Sequence, residues 1–254
     1  MTEKQSGQLD GKIALVTGAS RGIGKAIAEA FAAEGATVVL SYRSGVNEAA
    51  AVVSGITAQG GKAVAISADV ADEQQILALF EAVDNIGPLD ILVNNAGVIL
   101  EKPLLDTTAD DFDWLMNINV RGQFLVGREA LRRMIGRDGS RVINISSDLS
   151  FGGRDDFSVY CASKGAINTL TKSWAREFAP HVLINAIAPG PIDTDMLDLE
   201  NMSAEWAEKE KQLTVLGRIG TVDEISAVAL FLAGPGSTYL SGQIIGPNGG
   251  SVMP

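Results

Sequence analysis

Short apolar runs, rich in β-branched residues, alternate along this chain with longer stretches patterned as amphipathic helices. The runs are Ile13 to Thr17, Thr37 to Ser41, Ala63 to Ser67, Ile91 to Val93, Arg141 to Ser146, Leu183 to Ile187 and Gln243 to Gly246, and Gly or Pro punctuates most junctions. Near-continuous apolar runs mark strands covered on both faces, and helices between them supply the crossovers that parallel strands need. The pattern predicts an α/β fold, a parallel sheet with helices on both sides. No repeat, low-complexity stretch or linker divides the 254 residues, and 46% hydrophobic residues suffice for one sizeable core, so residues 1–254 read as a single domain. The first eight residues, polar and glycine-containing, read as a mobile tail. One segment breaks the alternation: Asp195 to Leu213, acidic and amphipathic, lies between the sixth strand and the last large helix.

Two local patterns carry chemistry. In Tyr160-Cys161-Ala162-Ser163-Lys164 a helix places the phenol and the ammonium one turn apart on one face. A free tyrosine has a pKa of about 10, and a neighbouring cation that stabilises the phenolate lowers it. The alternative is a solvated lysine on a helix surface. The second pattern is TGASRGIG, Thr17 to Gly24, between the first apolar run and the helical stretch KAIAEAFAAEG. A glycine turn between a buried strand and a helix N-terminus suits a diphosphate: Gly18 and Gly22 permit the tight turn, Gly24 permits close packing, and the helix offers unpaired N–H groups.

With NNAG at Asn94 to Gly97, INISS ending at Ser147 thirteen residues before Tyr160, and APGPIDTDM from Ala188 to Met196, these motifs occur in one order. Over essentially its whole length the chain resembles the short-chain dehydrogenase/reductase family, with general similarity to 3-oxoacyl-[acyl-carrier-protein] reductases and related sugar and polyol dehydrogenases. The resemblance implies a doubly wound, seven-stranded Rossmann-type sheet with ligands across the carboxyl ends of its strands. It implies hydride transfer between a nicotinamide and a carbonyl or secondary alcohol. Tyr160 then protonates the developing alkoxide, Ser147 hydrogen-bonds the carbonyl oxygen, and Lys164 lowers the tyrosine pKa and binds the nicotinamide ribose. Asn119 matches the fourth catalytic position, where its side chain helps hold a water for proton relay. Asn117 and Ser146 are the neighbouring decoys. The segment 195–213 covers the substrate in such proteins, with Met196, Leu197, Met202 and Trp206 as apolar contacts and the carboxylates facing water.

The implied cofactor contacts are Thr17, Gly18, Ser20, Arg21, Gly22, Ile23 and Gly24 at the diphosphate, and Asp69 and Val70 at the adenine. Asn95, Ala96 and Gly97 lie beside the ribose, with Tyr160 and Lys164 at its nicotinamide partner and Pro189, Gly190, Ile192 and Thr194 at the nicotinamide. At the end of the second strand, where NAD-binding folds usually carry an acidic residue, the chain has Ser41. Arg21 and Arg43 are available for a 2′-phosphate, which favours NADP(H), with NAD(H) the alternative.

Composition narrows the partners. A formal charge of -11 and few aromatics argue against nucleic acid. No apolar run is long enough for a membrane span and no leader pattern is present, so the expectation is a cytoplasmic protein. The single histidine, His181, and single cysteine, Cys161, offer no metal cluster. The negative charge also weighs against an acidic acyl carrier protein as partner, although Arg128, Arg132, Arg133 and Arg137 form a candidate patch. After Ser147 come Asp148, Leu149 and Ser150, with Asp155, Asp156 and Phe157 before the tyrosine, a mouth more polar than a fatty-acyl site needs, so the expected substrate is a small carbonyl or alcohol, thioester-linked or hydroxylated. Family likeness implies a homotetramer. A dinucleotide-binding sensor without turnover is the reading of another class, and the complete Asn119, Ser147, Tyr160 and Lys164 set argues against it.

Overall fold

The computed structural model describes residues 7–195, 197 and 204–254. Strands and helices alternate as the apolar pattern predicts: β1 (Ile13–Thr17), α1 (Gly22–Ala33), β2 (Thr37–Tyr42), α2 (Val46–Ala58), β3 (Lys62–Ser67), α3 (Glu73–Ile86), β4 (Ile91–Asn94), α4 (Ala109–Met116), α5 (Gln123–Met134), β5 (Ser140–Ile145), α6 (Leu149–Gly152), α7 (Ser158–Phe178), β6 (Val182–Ile187), α8 (Ala204–Gln212), α9 (Val222–Ala233) and β7 (Ile244–Ile245). The strands form one seven-stranded parallel sheet in the order β3-β2-β1-β4-β5-β6-β7. Chain direction across the sheet reverses between β1 and β4, which opens a crevice at their carboxyl ends.

Alternation within the strands divides the core. Ala14, Val16, Ile91, Val93, Ile143 and Ile145 face α1, α2 and α9, where they meet Ile27, Phe31, Val52, Ile225 and Leu232. Leu15, Leu92 and Val142 face the other side, against Ile76, Phe80, Leu125, Met134 and Trp174 of α3, α5 and α7. Capping fixes several helix starts: Asp72 Oδ1 accepts from Gln74 N and Gln75 N, and Thr108 with Asp111 and Thr221 with Glu224 form reciprocal capping boxes.

Strand limits shift slightly from the expected ones. β2 runs on to Tyr42, Ser146 lies just beyond β5, and β7 shortens to Ile244–Ile245. The tail expected over residues 1–8 is corrected at its end. Gln8 N donates to Glu34 Oε2 at 2.8 Å, and a Cβ on Gly7 would stand 2.3 Å from Glu34 O, so both residues are packed against the end of α1. The rest of that segment, 1–6, lies outside the described residues, as do Met196 and Met202 of the covering segment.

Two helical glycines give opposite expectations. A Cβ on Gly127 of α5 would meet Trp174 Cη2 at 2.4 Å, whereas one on Gly55 of α2 would meet nothing within 4 Å. Gly127→Ala should therefore destabilise by about 1–3 kcal/mol through overpacking, and Gly55→Ala should stabilise by roughly 0.5–1 kcal/mol, both read from urea midpoints.

Candidate active site

Helix α7 carries Tyr160 and Lys164 one turn apart on its buried face, 8% and 4% exposed. Lys164 Nζ lies 5.6 Å from the centre of the Tyr160 ring and donates to Ile145 O, the last residue of β5, at 2.9 Å. Ser147, two residues beyond β5, lines the cavity beside the phenol. Its Oγ also accepts from Leu149 N and donates to Asp148 Oδ1, both at 3.2 Å. Ser146 points the other way, donating to Asn168 Oδ1 at 2.7 Å and to Lys164 O at 3.1 Å. Both serines line the cavity, but the Ser146 hydroxyl is spent on fastening β5 to α7.

One expectation about these groups needs correction. Lys164 does not draw the phenol down: burial pushes Tyr160 up to about 12, with the nearby Ser147 hydroxyl acting against it, and desolvation brings Lys164 down to about 8. The ammonium faces the Ile145 carbonyl, so at this distance burial outweighs the pair attraction. Asn119 sits in a π-helical turn, Asn117–Gly122, between α4 and α5, fully buried. Its side chain is taken up by protein: Oδ1 accepts from Val98 N and Nδ2 donates to Val98 O, both at 2.8 Å, and Nδ2 reaches Ser163 Oγ at 3.2 Å. The amide fixes the loop after β4 against α7, and its Oδ1 keeps a second lone pair beside Gly97 and Lys164. A Cβ on Gly97 would lie 3.2 Å from Asn119 Oδ1 and 3.6 Å from Lys164 Nζ, so the glycine keeps that corner open.

A cavity of about 810 Å³ runs from the glycine loop across the crevice to the segment over the site. Gly18, Ser20, Arg21, Gly22, Ile23, Gly24, Arg43, Asp69, Val70, Asn95, Ala96, Gly97, Ser147, Tyr160, Lys164, Pro189, Gly190, Ile192 and Thr194 all line it. Thr17, Ser41 and Asn119 do not. Thr17 is buried, and its Oγ1 accepts from Asn95 N and Ala96 N at 3.0 Å each. Ser41 is buried with its hydroxyl unpartnered, and the residues that meet the cavity at this strand end are Tyr42, Arg43 and Ser44.

These residues fit a dinucleotide. Gly18 and Gly22 adopt φ of +64° and +54°, which only glycine takes at low cost, and α1 starts at Gly22 with neither a side-chain cap nor an acid in its first turn. A Cβ on Gly24 would fall 2.5 Å from Asn95 Nδ2. Asp69 also shapes the backbone, since its Oδ1 accepts from Ala71 N at 2.9 Å and so closes the turn after β3. When bound there, a nicotinamide dinucleotide supplies or accepts the hydride. Among the described residues no group of three His, Cys, Asp or Glu side chains is placed to hold a metal ion.

The substrate end is walled by Val98, Trp114, Leu149, Phe157, Leu197, Trp206, Leu213 and Val252 beside Asp148, Arg154, Asp155, Lys209, Glu210 and Ser251. The covering helix α8 does meet the cavity, but its acids do not all face water. Glu210 is buried and paired with Arg154, whose Nη1 donates to Glu210 Oε2 at 3.1 Å and whose guanidinium lies over the Phe157 ring. Proximity of the carboxylate raises the Arg154 pKa above its ordinary value. Reasoning from the sequence missed this pair, because nothing local links positions 56 residues apart. It also missed the C-terminal wall, for which Asn248-Gly249-Gly250 was a readable turn signal.

Burial of Lys164 has a thermodynamic consequence. Between about 8 and its ordinary 10.5 the unfolded chain still binds the proton that the folded protein has released, so stability rises with pH in that window. Relative to Lys164→Met, the unliganded wild-type protein should gain up to about 3 kcal/mol as pH rises through that window, measured by chemical denaturation at each pH.

Comparison with known proteins agrees with the geometry. A family model described as "Enoyl-(Acyl carrier protein) reductase" matches residues 18–251. The chain is 39% identical over 245 residues to the 3-oxoacyl-[acyl-carrier-protein] reductase FabG of Aquifex aeolicus, covering 96% of this chain and 98% of that one. It is 39% identical over 264 residues to versicolorin reductase stcU of Emericella nidulans, covering 99% of both. A short chain dehydrogenase from Burkholderia cenocepacia in complex with NADP superposes with a TM-score of 0.90 at 37% identity, over 96% of this chain and 99% of that one. With glycine loop, tyrosine, lysine and serine gathered around one crevice of a sheet shared with these proteins, the chain belongs to the short-chain dehydrogenase/reductase family and is an NAD(P)H-dependent oxidoreductase of carbonyl and CH–OH groups.

Proposed function

We propose that the protein reduces a ketone of a small, free molecule to a secondary alcohol with NADPH. The observation that carries this reading is the meeting of Ser147, Tyr160 and Lys164 in the cavity that the glycine loop also lines. Ser147 and Tyr160 each hold a hydroxyl at the site, so a carbonyl oxygen placed between them meets two donors as negative charge develops on it. Tyr160, held protonated by burial, gives its proton to the alkoxide, and Lys164 follows it on the same helix face as the replenishing cation. Asn119 keeps Val98 and Ser163 in place around this group.

NADPH is favoured over NADH by charge. No carboxylate stands at Tyr42, Arg43 or Ser44, where β2 meets the cavity, and Arg21, which lines the same cavity, pairs among the described residues with exposed Asp195 at 3.8 Å. An exposed pair of that length contributes little and leaves the guanidinium free to turn to a phosphate. The solved Burkholderia relative is a complex with NADP, which supports the same choice.

A free substrate is favoured over a carrier-bound one because the candidate basic patch is neutralised within the chain. Arg128 pairs with Glu73 at 2.6 Å, Arg132 with Glu129 at 2.9 Å, Arg133 with Asp84 at 2.8 Å and Arg137 with Asp90 at 3.0 Å. His181 meets Asp138 at 2.5 Å. A thioester of a small thiol stays within this reading. A cytoplasmic homotetramer belongs to it as well, supported by family likeness and by half-exposed Trp114 and Phe124 beside Leu170 of α7. No described helix is long and apolar enough to cross a membrane.

NADPH consumption with simple ketones and acetoacetyl thioesters tests the proposal, and carrier attachment should bring no gain in kcat/KM over a small thiol. Tyr160→Phe should lower kcat by about 10²–10⁴ while NADPH binding persists. Arg43→Glu should raise KM for NADPH by about tenfold or more and leave KM for NADH nearly unchanged, reversing or erasing the cofactor preference.

A further inference from the structure

Asp148 follows Ser147 directly, yet neither the proton transfer nor the dinucleotide contacts make use of it. Its side chain is buried, 6% exposed, and it lines the same cavity as Tyr160 and Trp206. Both oxygens are held by hydroxyls: Oδ1 accepts from Ser147 at 3.2 Å and Oδ2 from Ser251 at 2.5 Å. Its backbone N–H donates to Pro189 O at 2.9 Å, which fixes the residue to the loop after β6. Ser251 is delivered by a turn built on Asn248, whose Oδ1 accepts from Gly250 N at 2.9 Å and whose Nδ2 donates to Val252 O at 2.8 Å. Among the described residues no cation pairs with Asp148; the nearby Arg154 is committed to Glu210.

A serine hydroxyl has a single proton to donate. Here Ser147 gives that proton to Asp148. To hydrogen-bond a carbonyl oxygen it must turn away, which leaves Oδ1 buried without its hydroxyl donor and leaning on the Leu149 backbone N–H, itself turned to Ser147 Oγ at 3.2 Å, a state that proteins avoid because the lost hydration is poorly replaced. A substrate with its own hydroxyl beside the carbonyl removes the conflict. Its O–H takes the place of Ser147 on Oδ1 while Ser147 moves to the carbonyl oxygen, and every buried oxygen keeps a partner.

We propose that Asp148 is a specificity-determining residue that selects ketones bearing a hydroxyl on a neighbouring carbon, by accepting the substrate's proton donor in exchange for that of Ser147. The exchange moves hydrogen bonds only; no covalent bond changes in it. It rests on the reductase reading and narrows that reading to hydroxyketones.

The test compares hydroxyacetone with methoxyacetone, which keeps the electron-withdrawing oxygen but has no O–H. With NADPH, wild-type kcat/KM should favour hydroxyacetone by about tenfold, the scale of one buried hydrogen bond. Asp148→Val should bring the ratio close to one, and Asp148→Asn, whose amide oxygen still accepts, should keep part of the preference. NADPH binding, followed by its fluorescence, reports whether each variant is folded. If Asp148→Val does not fold, Asp148→Asn carries the test and must lower the ratio. A wild-type ratio near one, or a ratio that substitution leaves unchanged, overturns the proposal. If neither ketone consumes NADPH, the panel of ketones and acetoacetyl thioesters judges the reductase reading separately. Saturation-transfer NMR on the NADP-loaded protein then decides the role of Asp148: preferential binding of hydroxyacetone that Asp148→Val abolishes supports it, and equal binding of the two ketones overturns it.

Discussion

The site depends on a reciprocal clamp between the ends of β1 and β4. Thr17 Oγ1 receives the N–H groups of Asn95 and Ala96, and Asn95 Nδ2 donates back to Thr17 O at 2.8 Å and Gly18 O at 3.1 Å. Parallel strands diverge at a switch point, and nothing in the ladder itself holds the two loops at a fixed separation. Here one hydroxyl and one amide do so, and the backbone of Gly24 closes over the same amide. The glycine loop and the loop leading to Val98 and Asn119 therefore behave as one rigid floor, on which a dinucleotide and α7 share a common reference.

Above that floor the catalytic groups are positioned by burial more than by charge. Tyr160 packs with Leu115, Phe157 and Val159, and Lys164 reaches back to a strand carbonyl. Both are desolvated, which keeps the phenol protonated and the amine close to giving up its proton near neutrality. On the proposed mechanism, proton donation in the reducing direction draws on a phenol that packing keeps protonated.

Much of this was legible in the sequence because the relevant signals are local. Apolar runs bounded by glycine defined the strands to within a residue or two, and TGASRGIG showed the loop geometry through its glycines. Ser147 was separable from Ser146 by its interval to Tyr160, and the two hydroxyls do point to different places. What escaped was of another kind. Whether Asn119 faces a cavity or a backbone strand depends on a π-helical turn that propensity does not reveal. The pKa of Tyr160 depends on how completely neighbouring elements exclude water, a property of the assembled core. Ser41 was the last residue of the expected strand, but β2 runs on to Tyr42, Ser41 is buried within it, and Tyr42 and Arg43 are the residues that reach the ligand side.

The Arg154–Glu210 pair has a consequence for how such a protein changes its substrate range. The covering segment is the natural part to exchange between relatives, since it contributes Leu197, Trp206 and Leu213 to the wall and lies outside the sheet. Yet one of its acids is the counter-charge of a guanidinium rooted in the loop before α7, and both side chains are largely hidden, 17% and 3% exposed. A graft that replaces the segment alone strands that guanidinium, a loss of about 3–5 kcal/mol, enough to erase much of a typical domain's stability. The two positions thus have to be exchanged as a unit, and recombination that respects the visible boundary of the insertion cuts through its electrostatic one.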